Sequence, residues 1–401
     1  MQMTADSANE GAQTTASRVK LNYCFYMVTR LGHLAEELLL VKNTFDPAQY
    51  ELVLMVAPLA ERVPANREVF DLVTRGMTVL ELADSNAVYE AHALAEKTGA
   101  ILETGDSLWA CYAGEKLKTN FLKSLRDREV RFHEKLSAED LERGIELRRK
   151  VGIPLDAKIV TLHVREPGYL PKLSYHSFRD ADIFNYLPAI KHLVDQGYYI
   201  VRLGDKSMKR LPEFGAHVID MPFSEHYCQF VEPYFIGVSE LLLGVPSGPY
   251  HLARAMNIPI LTTNAPLCAT DWGNHRDLYL PKTYYSTQLR RELTYVEVMT
   301  SPAANYSMTE EFENAGIELR ENTAEEILAA TKEMLLRLSQ PGTRSPEIES
   351  FDTRVQESHR LAHAVREGTE LAPSFNALYW SRMKLSRAYV ELHPDYLGHS
   401  W

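Results

Sequence analysis

Residues 241–261 read LLLGVPSGPYHLARAMNIPIL: an apolar run stops at Gly244, a small-residue break follows at Ser247 and Gly248, and a helical pattern leads to a second apolar run at Ile258 to Leu261. Strand, turn, helix and strand in that order make a βαβ unit, and such units build parallel sheets covered by helices. The same grammar recurs on either side. LNYCFYMV from Leu21 reads as a strand, and TRLGHLAEELLLVKNTF after it as a glycine turn opening into a helix. YELVLMVAP and MTVLEL read as further strands around the helix VPANREVFDLVTRG. A charged stretch over 120–150 reads as helical, with a helix start at Ser137 to Asp140. The pattern then restarts with the strand KIVTLHVRE, the helix DIFNYLPAIKHLVDQG, the strands YYIVRLGD, HVIDMP, ELLLGV and IPILTTN, and the amphipathic helix that begins at Thr323.

The expected fold class is therefore α/β, with two Rossmann-like domains facing a cleft and a helical C-terminal extension. At ~100–200 residues per domain, 401 residues accommodate two cores. The expected divisions are a disordered tail at 1–17, a first Rossmann-like domain at 18–150, a second at 151–340 and the extension at 341–401, which follows the Pro/Ser-rich PGTRSPEIES.

Composition narrows the functions. A net charge of −11 argues against a general nucleic-acid binder, which needs a cationic face. Cys24, Cys111, Cys228 and Cys268 lack CxxC spacing, which suits thiols in a reducing compartment and predicts no structural zinc. No signal-like start and no apolar run of ~18 residues is present, so a cytoplasmic protein without a transmembrane segment is expected. Neither an HExxH metal motif, a GxSxG elbow nor a GxxxxGK[ST] loop occurs.

In open parallel sheets ligands bind beyond the carboxyl ends of strands, where helix N-termini offer unpaired N–H groups. Four such ends are polar: TRLGHLAEE, HVREPGY, RLGDKSM and GVPSGPYH. In the last, Ser247 and Gly248 let backbone N–H groups approach a phosphate, or simply make a tight turn. Arg165 can bind a pyrophosphate bidentately or pair with Glu166 or across the domains. His163 reads as a core histidine. Asp205 either meets a ribose hydroxyl or caps its turn, and Asp182 has a ready explanation as a helix N-cap. His33 and Glu37 are four apart on one helix face, so a carboxylate can raise the basicity of an imidazole; the alternative is that these acids compensate a helix dipole.

At this point the residues carry a resemblance. RLGHLAEE, LHVREPGY, FRDADIFNYLPAIKHLVDQGYYIVRLGD and FIGVSELLLGVPSGPYHLARAMNIPILTTN, in this order over residues 20–340, resemble a bacterial glycosyltransferase family of the two-domain GT-B architecture. The HVR strand end and the SG turn are similar to the donor half of fucosyltransferase-type enzymes, which implies that Arg165, Ser247 and Gly248 contact a donor pyrophosphate. The first-domain loop is similar to the acceptor loop of heptosyltransferase-type enzymes, where a catalytic aspartate is often found. His33 stands there instead, so the base is open among His33, Glu36 and Glu37. Glu166 and Asp205 join the donor contacts, and Gly32, Arg179, Asp182 and Asn264 are further candidates.

The implied reaction moves a sugar from a nucleotide-sugar substrate to an acceptor hydroxyl or amine, on a glycan, protein or small metabolite. It needs no cofactor and no metal, inverts the anomeric centre, and uses domain closure to exclude water. PGYLPKLSYHS reads as an acceptor-shaping insertion. A sugar-nucleotide epimerase or hydrolase, or a non-catalytic sugar-nucleotide-binding partner, is the alternative. The terminal helices leave a homodimer open beside packing between the domains.

Overall fold

The computed structural model describes residues 18–98, 101–104, 107–111, 129–132, 134–168, 171–267, 273–342, 345–366 and 383–398. The expected tail at 1–17 lies outside them.

The first lobe contains β1 (Val19–Cys24), α1 (Leu31–Thr44), β2 (Tyr50–Val56), α2 (Arg67–Val73), β3 (Thr78–Glu81), α3 (Ser85–Thr98), β4 (Ile101–Thr104) and β5 (Ser107–Cys111). Its sheet runs β3-β2-β1-β5-β4, parallel except for β4, which is antiparallel to β5. Leu21 to Cys24 are buried on both faces of β1, the reason this strand reads as a near-continuous apolar run. α3, β4 and β5 are absent from the sequence reading; ILET and SLWAC are short strands with only two residues between them.

α4 (Ala138–Val151) starts at the expected place, where Ser137 Oγ accepts from Asp140 N at 3.1 Å and the Asp140 side chain returns to the Ser137 N–H. It ends at left-handed Gly152, φ 75°. Helix was expected across 120–150, but the described residues from 129 to 137 are irregular. Their charges serve tertiary contacts instead: Glu134 receives the buried Lys42 Nζ at 2.9 Å, and that ammonium also donates to the Val73 carbonyl at 2.7 Å.

The second lobe contains β6 (Ile159–His163), α5 (Leu187–Asp195), β7 (Tyr199–Arg202), β8 (Val218–Asp220), α6 (Val231–Gly237), β9 (Leu241–Gly244), α7 (Gly248–Ala255), β10 (Ile260–Ala265) and β11 (Leu278–Pro281). A small antiparallel sheet follows, from β12 (Thr283–Ser286), β13 (Arg291–Glu292) and β14 (Ile317–Arg320), with α8 (Tyr295–Met299), α9 (Thr309–Asn314) and α10 (Ala324–Ser339). Beyond residue 341 come α11 (Pro346–Arg366), β15 (Lys384–Leu385) and α12 (Arg387–Leu392). The extension expected to be helical thus also supplies an edge strand, and the main sheet runs β15-β11-β10-β9-β6-β7-β8, all parallel. Among the described residues, its core contacts lie on the second lobe. No described helix is long and apolar enough to cross a membrane.

In each lobe the strand order reverses at the first strand: β2 and β5 flank β1, and β7 and β9 flank β6. The crevice at such a reversal is where an α/β sheet leaves room for a ligand. Two Rossmann-like lobes therefore bring two switch points to one cleft. Gly244 permits the second, since a Cβ there would run into the His163 carbonyl.

One apolar core continues from β1, α1, β2 and α2 through Leu147 of α4 to Val231, Phe235, Leu242, Tyr250 and Ala253 in the second lobe. α4 is the strut between them. Its Gly144 lies against the Tyr234 ring, Arg148 Nε donates to Tyr234 Oη at 2.9 Å, and Arg143 pairs with Glu68 while covering the Phe230 ring. Alanine at position 144 would gain about 1 kcal/mol in helix propensity. Its Cβ would strike the Tyr234 ring, however, and overpacking costs about 1–3 kcal/mol or more. Gly144→Ala is therefore expected to lower the unfolding free energy, measured as a fall in urea midpoint.

Candidate active site

The two switch points enclose a cavity of about 520 Å³. Its frame is a pair of helices from different lobes, α1 and α7, lying side by side in the same direction. Leu31 meets Gly248, Gly32 meets His251, and Glu36 meets both His251 and Arg254. Close approach requires the glycines: a Cβ on Gly32 would stand 2.9 Å from His251 Cδ2, and one on Gly248 2.9 Å from Leu31 Cβ.

Both N-termini open into the cavity without side-chain caps and without acids in their first turns. α4, α8 and α10 show the contrast, with capping boxes built from Ser137/Asp140, Thr294/Glu297 and Thr323/Glu326. Ser247 turns its Oγ back to the Val245 carbonyl at 3.0 Å and so leaves the first N–H groups of α7 uncapped. Two adjacent positive helix ends with no local compensation favour an anion. The expectation that Glu36 and Glu37 compensate the α1 dipole is corrected: they lie in the second turn.

Three guanidiniums line the same cavity: Arg30 at the start of α1, Arg165 beyond β6, and Arg179 in the 3-10 segment Pro171–Arg179. Arg165 Nε donates to Asp180 Oδ1 at 2.6 Å, which orients it with one of its five donors. The expected Arg165–Glu166 pair does not form. Arg30 makes no ion pair with any described residue. His176, its Nδ1 3.1 Å from the Ser307 carbonyl, is pushed down to about 4, first by burial, then by Arg179, with Arg165 and Arg30 adding to it. One imidazole thus feels all three arginines. His163 is also held at about 4 by burial, with Nδ1 facing the Leu203 carbonyl at 3.2 Å, so both imidazoles are neutral at pH 7.

On the first-lobe wall, His33 is half-exposed with Nδ1 3.6 Å from Glu37 Oε2. Glu37 is buried behind it and accepts from Tyr23 Oη at 2.7 Å. Tyrosine, carboxylate and imidazole therefore line up from core to cavity. Glu36, expected as a reserve base, is instead paired with Arg254 Nη1 at 3.0 Å and His251 Nδ1 at 3.2 Å. That carboxylate is already engaged by the Arg254 guanidinium.

The lining is also rich in acceptors. Glu166 takes bonds from Arg202 Nη2 and Lys209 N, both at 3.0 Å, while its Oε1 is buried without a hydrogen bond. Asp205 Oδ1 caps Ser207 N at 2.7 Å, as the bland reading expected, and its Oδ2 is buried without a hydrogen bond. Glu232 of α6 accepts from Asn66 Nδ2 across the lobes. Burial pushes its carboxyl up to about 7, against the lowering effect of Asn66.

The cavity thus gathers Gly32, His33, Glu36, Arg165, Glu166, Arg179, Asp205, Ser247 and Gly248 from the sequence candidates. Three others do not line it: Glu37 is buried behind His33, and two lie elsewhere. Asp182 caps Phe184 N and holds Lys209 Nζ at 2.9 Å on the surface. Asn264 is buried, exchanging bonds with Asn322 and donating to Tyr186 Oη at 3.0 Å, so it braces the core. Sequence reasoning missed Arg30, His176, Glu232 and His251. Arg30 and His251 flank the quoted blocks RLGHLAEE and GVPSGPY, whereas only tertiary structure brings His176 and Glu232 here.

No family model matches the chain, and no curated protein matches it. Among solved structures it is similar to a family 9 glycosyl transferase from Veillonella parvula DSM 2008, at 12% identity over 61% of this chain and 79% of that one, with a TM-score of 0.37. It is also similar to the glycosyltransferase TibC from enterotoxigenic E. coli H10407, at 13% identity over 61% of this chain and 58% of that one, with a TM-score of 0.31. The wall teichoic acid polymerase TagF matches at 9% identity over 61% and 70%, with a TM-score of 0.27. These are distant likenesses to glycosyltransferases, and function has to be read from the cleft.

Native Glu232 keeps its proton to about pH 7, whereas the unfolded carboxyl loses it near its ordinary 4.5. The native state therefore binds the extra proton in that window, and this group's contribution to stability falls as pH rises through it. Glu232→Gln removes the ionisation while keeping an acceptor for Asn66. Its stability relative to the parent protein should improve between about pH 5 and pH 8 by on the order of 1–3 kcal/mol, read from paired urea unfolding curves.

Proposed function

We propose that the chain is a glycosyltransferase of the GT-B type that binds a nucleotide-activated sugar in this cavity and passes the sugar to an acceptor hydroxyl or amine. The observation that carries the reading is the convergence of Arg30, Arg165 and Arg179 with two uncapped helix N-termini in one enclosed space. A diphosphate tail matches that field in charge and in its need for several donors.

In this reading Arg165, with the Ser247–Gly248 turn, holds the diphosphate and stabilises the charge that grows on it as the anomeric bond breaks. Side chains and helix ends then supply the neutralisation that a metal ion would otherwise give. His33 takes the proton of the attacking hydroxyl, and Glu37 behind it stabilises the imidazolium that forms. His33 is the half-exposed member of the pair, so it is the one an incoming acceptor meets. His33 stands in the first turn of α1, beside the helix ends that hold the diphosphate. Glu166 and Asp205 offer acceptors to the hydroxyls of the bound donor.

A second reading, hydrolysis or epimerisation of the same nucleotide sugar, is favoured by Glu232, a cavity carboxyl that changes protonation near neutrality. Product analysis without acceptor separates the two, since only the second reading yields free sugar or an epimer.

Calorimetric titration with a panel of nucleoside diphosphates, followed by turnover with their sugars, tests the proposal. Arg165→Ala should weaken diphosphate binding and remove about 2–4 kcal/mol of transition-state stabilisation from kcat/KM. His33→Ala should lower kcat by roughly 10²–10⁴ while leaving the diphosphate Kd unchanged. Full turnover in either variant would reject the role given to that residue.

A further inference from the structure

We infer that the two lobes form one body whose cleft is set before any ligand binds, with Glu36 as the positioning residue that holds the two anion-binding helix ends together. The sequence suggested domain closure on substrate, and the contacts between the lobes oppose it. Glu36 leaves its own lobe to meet Arg254 and His251 of α7. Arg254 is only 1% exposed, and its guanidinium lies over the Tyr250 ring, 4.3 Å from the centroid, while also donating to Tyr250 Oη. Separating α1 from α7 would break the ion pair between the largely buried Glu36 and the fully buried Arg254 guanidinium.

Three further observations point the same way. Gly32 and Gly248 bring the helices into contact at the cavity itself, so a hinge there would have to unpack a close-fitting seam. Asn66 spans the cleft to the Gln229 carbonyl at 2.8 Å and to Glu232, while Gln229 Oε1 accepts from Arg67 N at 2.9 Å. The apolar core runs without a break from one sheet to the other, and α4 is anchored on both sides through Arg143, which pairs with Glu68 and covers Phe230. Substrates then reach the cavity through its mouth, and water is displaced by the substrates themselves.

That Glu36 serves the reaction rests on the transferase reading; the lobe geometry does not. Spin labels at the exposed positions Glu61→Cys and Glu213→Cys, in a chain with Cys24, Cys111, Cys228 and Cys268 replaced, report the distance between the lobes. A single narrow distribution is expected, moving by less than about 2 Å when UDP, GDP, ADP or CDP is added to saturation. Glu36→Ala should broaden that distribution and raise the donor KM roughly tenfold or more, because misplacing a positioned group by a fraction of its contact distance is expensive. Glu36→Gln should give the same signature more weakly, and Arg254→Lys, which keeps the charge opposite Glu36, should retain the narrow distribution. Two populations in the chain with Glu36 intact, a large ligand-driven shift, or an unchanged distribution in both Glu36 variants would overturn the inference. Should none of the four diphosphates bind, the transferase reading fails, and the distances in the ligand-free chain still decide whether the lobes are one body.

Discussion

Two helices from different sheets lie parallel with their N-termini together, and the rest of the cleft follows from that placement. Parallel neighbours put like ends of their dipoles side by side, an arrangement that gains nothing by itself. Here the local remedies used elsewhere in the chain are missing: no cap, no acid in the first turn, and three arginines added to the same pole. What offsets the arrangement lies a turn further along, where Glu36 accepts from Arg254 and stands 3.2 Å from His251 Nδ1. Arg165 is paired with Asp180, and the pole made by the two helix ends favours an anion.

The cavity is consequently polarised. Guanidiniums and helix ends crowd one side, and Glu166, Asp205 and Glu232 line another, two of them with buried oxygens that take no hydrogen bond. The neutral imidazoles His163 and His176 lie within this field. Such an interior offers donors to an anionic segment and acceptors to hydroxyl groups. A carboxylate or phosphate alone would satisfy only the first side.

Much of this was legible in the sequence, because the parts concerned are local. Apolar runs such as LNYC and LLLG announce buried parallel strands, and the Ser-x-x-Asp and Thr-x-x-Glu starts of α4 and α10 announce their own ends. The polar ends of β1, β6 and β9 pointed to the cleft for the same reason: a strand must stop somewhere, and the loop beyond it is read directly from its residues. What was hidden depends on contacts distant in sequence. Glu232 approaches Asn66 only across the lobes, and His176 reaches the arginines only after the Pro171–Arg179 segment folds back against Ser307. Asp182 and Asn264 misled for the opposite reason. Each is a polar residue near a strand or helix end, where capping and core bracing produce the same pattern as ligand contact.

Glu36 and Glu37 show that limit at the scale of one bond. Neighbours in a helix point about 100° apart, so adjacent identical residues are sent to different surroundings by geometry alone. Glu37 turns inward to Tyr23 and backs His33; Glu36 turns outward to the other lobe and is held by Arg254. Each acid thus has its own histidine, one within the lobe and one across the cleft. Only the first pair leaves a half-exposed imidazole facing the cavity with a carboxylate free of guanidinium at its back. In the second pair the carboxylate is already neutralised by Arg254, so it has little left to lend His251 as a base. The two consecutive glutamates thus sit in different surroundings, and the difference is made by the direction each takes from α1.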